Sequence, residues 1–159
     1  MDTNLSCQGA TFKGPTTFNT LKCGVGGFFQ RAEFQSEEET DFAYASFGTN
    51  LYCQDTTFKG QVTFYQTTIG TLVLGDSSPF AQKSLDLREC TFERFNGGLL
   101  QAKHLTGAQK PAVFSRDPYL QLEKYYQSTE NEPDAKEIYY QGRLALRKRA
   151  NEQNSHQVK

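Results

Sequence analysis

Large apolar side chains recur along the first part of the chain at intervals that fit neither regular element. One set is Cys7, Phe18, Phe29, Phe42, Cys53, Phe64, Leu74 and Leu87, spaced 11, 11, 13, 11, 11, 10 and 13 residues apart. Each member is followed five residues later (six for the last but one) by a second: Phe12, Cys23, Phe34, Phe47, Phe58, Ile69, Phe80 and Phe92. A smaller or aliphatic residue sits two positions before most of them, as in Leu5-Ser-Cys7, Gly27-Phe-Phe29 and Val62-Thr-Phe64. A helix places apolar residues three and four apart, and a strand places them two apart. A period of five fits a chain that turns a corner every five residues, with residues i−2 and i inward and the intervening positions forming the turn. Four such sides close one coil, and coils stack at about 4.8 Å through backbone hydrogen bonds. The eight paired units predict about four coils and four inward columns: Phe12/Phe34/Phe58/Phe80; Phe18/Phe42/Phe64/Leu87; Cys23/Phe47/Ile69/Phe92; and Cys7/Phe29/Cys53/Leu74. Phe28 and Phe95 fall outside the columns and are expected outward or at the boundary.

The pattern resembles the pentapeptide repeat family, whose five-residue unit is commonly Ala-Asp/Asn-Leu/Phe-x-x. Ala10-Thr-Phe12, Ala32-Glu-Phe34, Ala45-Ser-Phe47 and Cys90-Thr-Phe92 carry the likeness most closely. It covers roughly residues 4–95 and implies a mainly β fold, a right-handed quadrilateral β-helix. Six-residue steps at Gly14-Pro15 and Gly60-Gln61 are expected to bulge a corner without breaking the stack. Gly24-Val-Gly-Gly27 is expected to ease a tight corner, since the spacing of a phosphate loop is missing.

Past Asn96 the pattern changes, which divides the chain into 1–95 (β-helix), 96–150 (connector and helical hairpin) and 151–159 (frayed tail). Asp117-Pro118 reads as an N-cap followed by proline in the first turn. A helix from there to about Thr129 puts Tyr119, Leu122 and Tyr126 on one face. Asn131-Glu-Pro-Asp134 reads as a turn and second N-cap. It is followed by a helix from Ala135 to about Arg149, with Ile138, Tyr139, Gly142, Leu144 and Leu146 around its apolar side. Residues 119–143 resemble a helical pair of the tetratricopeptide type. The hairpin is expected to cap the C-terminal end of the β-helix. The N-terminal coil is expected to be uncapped, which suggests either a homodimer through that coil or a missing preceding segment.

Composition sharpens this picture. The chain is 159 residues long, with 36% apolar residues and no Trp, yet it has 13 Phe and 8 Tyr. Disordered chains are poor in aromatics, so the low hydrophobicity reflects a coil that needs only two inward residues in five. Residues 1–95 carry 7 basic and 11 acidic groups and residues 96–159 carry 10 and 7. The net charge of −1 argues against broad nucleic-acid binding. No run of apolar residues is long enough to span a bilayer, and Met1–Ala10 has no leader pattern. A cytoplasmic protein without direct membrane contact is therefore expected. The four Cys match no zinc or redox spacing and are expected to be buried thiols.

No catalytic, cofactor or metal residues are expected. His104 and His156 neighbour no nucleophile constellation, Cys90 is an inward packing residue, and Glu37–Asp41 lacks alternating ligand spacing. The leading expectation is a non-enzymatic scaffold that binds a protein partner. Its surface would include Tyr44, Tyr52 and Tyr65, with Tyr44 and Tyr52 at turns, and the basic residues Arg143, Arg147 and Arg149. The family resemblance implies two alternatives. One is a DNA-mimicking regulator of a type II topoisomerase, which the modest charge of the stack disfavours. The other is a soluble domain of a membrane-associated protein, because such repeats and helical pairs precede membrane segments in related bacterial chains.

Overall fold

The computed structural model describes residues 3–157 and shows a four-sided β-solenoid of about four turns followed by helices. The strands are β1 (Asn4–Ser6), β2 (Thr11–Phe12), β3 (Lys22–Cys23), β4 (Gly26–Phe28), β5 (Glu33–Phe34) and β6 (Thr40–Asp41). They continue as β7 (Ser46–Tyr52), β8 (Thr57–Phe58), β9 (Val62–Thr63), β10 (Thr68–Gly75), β11 (Leu85–Asp86) and β12 (Thr91–Gly97). All pairing is parallel, in the orders β1-β4-β7-β10-β12, β2-β5-β8 and β6-β9-β11, with β3 on β7. This is the topology of a chain that meets itself one coil later.

Register fixes the four columns. On side one, Cys7, Phe29 and Cys53 donate their N–H groups to Phe28, Tyr52 and Val73 of the next coil. On side two, Phe12, Phe34, Phe58 and Phe80 are direct partners, with ring centroids 4.6, 4.6 and 5.3 Å apart. On side three, Phe18, Phe42 and Phe64 stack at 5.0 Å per step above Leu87. On side four, Cys23, Phe47, Ile69 and Phe92 are in register. Edge-to-face contacts such as Phe29–Phe42 at 5.5 Å lock neighbouring columns together. The rings thus satisfy both favoured aromatic geometries at once.

The corners of sides one and three are type II turns. The third residue of each sits at positive φ, as at Thr20, Arg31, Tyr44, Asp55, Gln66 and Glu89. The next residue donates its N–H back to the inward large residue, for example Ala45 to Phe42 at 3.1 Å and Cys90 to Leu87 at 3.2 Å. At side four the corner needs glycine for a different reason. A Cβ on Gly48 would lie 2.2 Å from the Gly24 carbonyl oxygen, and one on Gly70 would lie 2.3 Å from that of Thr49. Gly27 likewise leaves room for the Phe47 ring.

Three helices follow: α1 (Leu99–Gly107), α2 (Asp117–Ser128) and α3 (Glu132–Gln157), with a short 3-10 turn at Pro111–Val113. The stretch expected to be irregular therefore contains α1. Its start is marked by Gln101, whose side chain accepts the Gly98 N–H at 3.0 Å. The N-cap of α2 is Arg116, with Asp117 already in the first turn. Asn131 caps α3, accepting the Asp134 N–H at 3.3 Å, three residues before the expected cap. The last helix runs through residues 151–157, where a frayed tail was expected; Val158 and Lys159 lie outside the described residues.

Tyr119, Leu122 and Tyr126 on α2 and Ala135 and Ile138 on α3 are buried in one continuous core with the solenoid, whereas Tyr139 and Leu144 are exposed. Phe95, expected at the boundary, is 2% exposed, because α2 and α1 cover the end of the stack. Each side of the last coil is closed. Segment 94–96 of β12 pairs with 71–73 of β10 on side one, and His104 Nε2 donates to the Phe80 carbonyl at 2.8 Å on side two. On side three Lys110 N–H donates to Leu85 and Leu85 N–H to Ala108. On side four the Gln121 side chain bonds both Cys90 and Phe92.

Candidate interaction surface

Inward positions are consumed by packing, so chemistry available to a ligand lies on outward corners and on the cap. The most ordered outward cluster is the corner that follows side three. There the outward positions of successive coils are Ala43 and Tyr44, Tyr65 and Gln66, then Arg88 and Glu89. The turn holds Tyr44 at φ +61° and leaves it 48% exposed. Its ring meets that of Tyr65 edge-on at 5.6 Å. The Arg88 guanidinium lies 5.0 Å from the Tyr65 centroid on the other side, within cation–π range.

The charges of this ridge are tied to each other. Arg88 makes a two-point contact with Asp86, Nη2 to Oδ2 at 2.7 Å and Nε to Oδ1 at 3.0 Å, which raises its pKa. Gln66 Nε2 donates to Glu89 at 3.0 Å and to the Tyr65 hydroxyl at 3.3 Å. The Gln66 amide, then the Tyr65 hydroxyl, hold Glu89 below the usual carboxylate range. The hydrogen bond to Glu89 in turn pushes the Tyr65 phenol up. The ridge therefore presents two phenols, the Arg88 guanidinium and the Glu89 carboxylate in a fixed arrangement, with Asp86 buried behind Arg88.

Tyr52, expected at a turn, lies in β7 and stacks on Phe28 at 4.9 Å, with its hydroxyl accepting the Asn50 amide at 2.7 Å. It belongs to the outer surface of side one, on a different side of the solenoid from Tyr44 and Tyr65. β7 is continuous because Gly48 lets the chain pass from side four to side one close against the coil below. Phe28 was thus a member of the surface that spacing alone did not select. Its aromatic partner in the next coil was the available signal.

On the cap, Arg143 donates to the Tyr139 hydroxyl at 3.0 Å and lies 5.8 Å from that ring. Arg147 is exposed. Arg149 is turned inward, bonding the Pro111 carbonyl with its guanidinium over the Phe114 ring, so it ties α3 to the connector and leaves the outer face to Arg143 and Arg147. Burial pushes the Cys53 and Cys90 thiols up to about 12, far from the range of a reactive thiolate. Comparison with protein-family models, curated proteins and solved structures yields no match, so the functional reading rests on this surface.

Proposed function

We propose that the chain is a non-enzymatic scaffold of the pentapeptide-repeat type that binds a protein partner through the Tyr44–Tyr65–Arg88 ridge. The outer face of α3 around Arg143 and Arg147 serves as a second contact. One observation carries this reading: two tyrosines and an arginine, residue types that dominate binding hot spots, stand together on a backbone held by turns and stacked coils. Binding at such a site spends little free energy on ordering side chains. A reducing, cytoplasmic setting accords with four free cysteines, three of them buried.

Affinity capture with wild type, Tyr44→Ala, Tyr65→Ala and Arg88→Ala tests the reading. A partner held by wild type and weakened at least tenfold by Tyr44→Ala or Arg88→Ala supports it. An identical partner set across all four proteins rejects this ridge as the binding surface.

A further inference from the structure

We infer that the N-terminal end of the solenoid is a self-association surface, on which a second copy of the chain stacks coil to coil about a two-fold axis. The proposal starts from the contrast between the two ends. Every side of the last coil is closed by a backbone segment or a polar side chain, as described above. In the first coil, β1 pairs only with β4, β2 only with β5, β3 only with β7, and Thr17 only with Asp41. Among the described residues the other edges of β1, β2 and Thr17 meet nothing, while on side four the Thr3 hydroxyl accepts the Gly24 N–H at 3.1 Å and donates to the Lys22 carbonyl at 3.4 Å. The plate between those edges is apolar: Leu5, Cys7, Phe12, Phe18 and Leu21 pack on the core on one side and are half-buried. Phe12 and Phe18 are the terminal rings of two stacks, each with one face covered, at 4.6 and 5.0 Å.

Shape selects the occupant. The open edges of sides one, two and three around a central plate can all be paired at once only by a matching end, and this chain itself carries such an end. A two-fold axis across the stack reverses the sense of the coil, so every edge meets its counterpart antiparallel, the stronger pairing. Charge selects among such axes. In the first coil the described charges are Lys13 beside side two and Lys22 on side four, and residues 3–32 contain no acidic group. An axis through opposite corners sets side two over side one and side four over side three. Each lysine-bearing side then faces a side with no charge.

Opposing sides about 10 Å apart plus their outward side chains make an end roughly 20 Å across. The contact therefore buries about 800 Å² in total, below stable specific interfaces and in the class of weak, transient ones. Association is accordingly weak and reversible.

Sedimentation equilibrium of the full chain between about 1 and 300 μM reads the result directly. A mass rising from 18.0 kDa to twice that value supports the proposal. The rise should vanish in Phe18→Asp and return in Phe18→Leu. Because the charged variant could fail to fold, amide exchange of wild type gives an independent reading. Protection of Asn4–Ser6 and Thr11–Phe12 should increase at least tenfold across the same range, with the cap amides unchanged. A constant 18.0 kDa species, or dimerisation indifferent to Phe18→Asp in a folded protein, overturns it. Neither outcome depends on the Tyr44 ridge, so the partner reading stands or falls separately.

Discussion

The side-chain amide of Gln121 does for Phe92 what a further coil would do. Its Oε1 accepts the Phe92 N–H at 2.7 Å while its Nε2 donates to the Cys90 carbonyl at 2.8 Å. One carboxamide thus replaces the donor and acceptor of an absent strand, and it docks α2 on the stack. Gln121→Ala strands two backbone groups at a covered end and should cost about 2–3 kcal/mol, read by urea denaturation. Gln121→Glu keeps the acceptor and loses the donor, so it should fall between. A loss under about 0.5 kcal/mol for Gln121→Ala would show that the cap docks without this contact.

The aromatic stacks predict a gradient along the solenoid axis. Phe42 is fully buried with a ring above and below it, so Phe42→Ala should cost about 3–5 kcal/mol. Phe12 has one covered face, and Phe12→Ala should cost about half as much. Equal losses at the two sites, measured by the same denaturation experiment, would contradict an open first coil.

Much of this architecture is legible in sequence because the inward positions are large, few and evenly spaced, so the columns follow from counting phenylalanines. The rest depends on contacts that leave no period. Gln121 is one polar residue on a helix, and its pairing with backbone 29 and 31 residues away has no local signature. Phe95 is buried because the cap arrives over it. Tyr52 lies in a strand because Gly48 permits close backbone approach, a tertiary constraint. The polar run Asn151–Ser155 continues a helix already started from the Asn131 cap. Arg149 reads as surface charge, and only the position of Phe114 shows otherwise.

Glycine substitutions separate backbone clash from open space. Gly48→Ala meets a backbone oxygen that cannot move without parting two coils, and should cost about 3 kcal/mol. Gly14→Ala, at a corner with nothing within 4 Å of the new Cβ, should be within about 0.5 kcal/mol of wild type. A tolerant Gly48→Ala in thermal unfolding would mean that the coils are not held this closely.

The positive-φ corners store strain that can be relieved. Thr20 is β-branched and exposed at φ +63°, a conformation that costs a branched residue about 1–2 kcal/mol. Thr20→Gly should therefore raise stability by roughly 0.5–1 kcal/mol, after the entropy a glycine adds to the unfolded chain. Thr17→Gly, outside any such position, should lower it. A destabilised Thr20→Gly would show that the threonine side chain is making a contact worth more than the strain.

The buried thiols give the solenoid an alkaline limit. Burial raises Cys53 and Cys90 from 9.0 to about 12, so the folded state favours the neutral form. Below pH 9 both states hold the proton and the stabilisation is fully present. Between about pH 9 and 12 the unfolded chain ionises first, and stability falls by up to about 1.4 kcal/mol per pH unit for each thiol. Cys53→Ala should lower stability at pH 7 through the lost packing, yet flatten its decline between pH 9 and 11. In the native protein at pH 8, a thiol reagent should modify half-buried Cys7 well before Cys53 or Cys90. Equal labelling rates at all four sites, or an unchanged alkaline slope in Cys53→Ala, would place these thiols outside the core that the register assigns them.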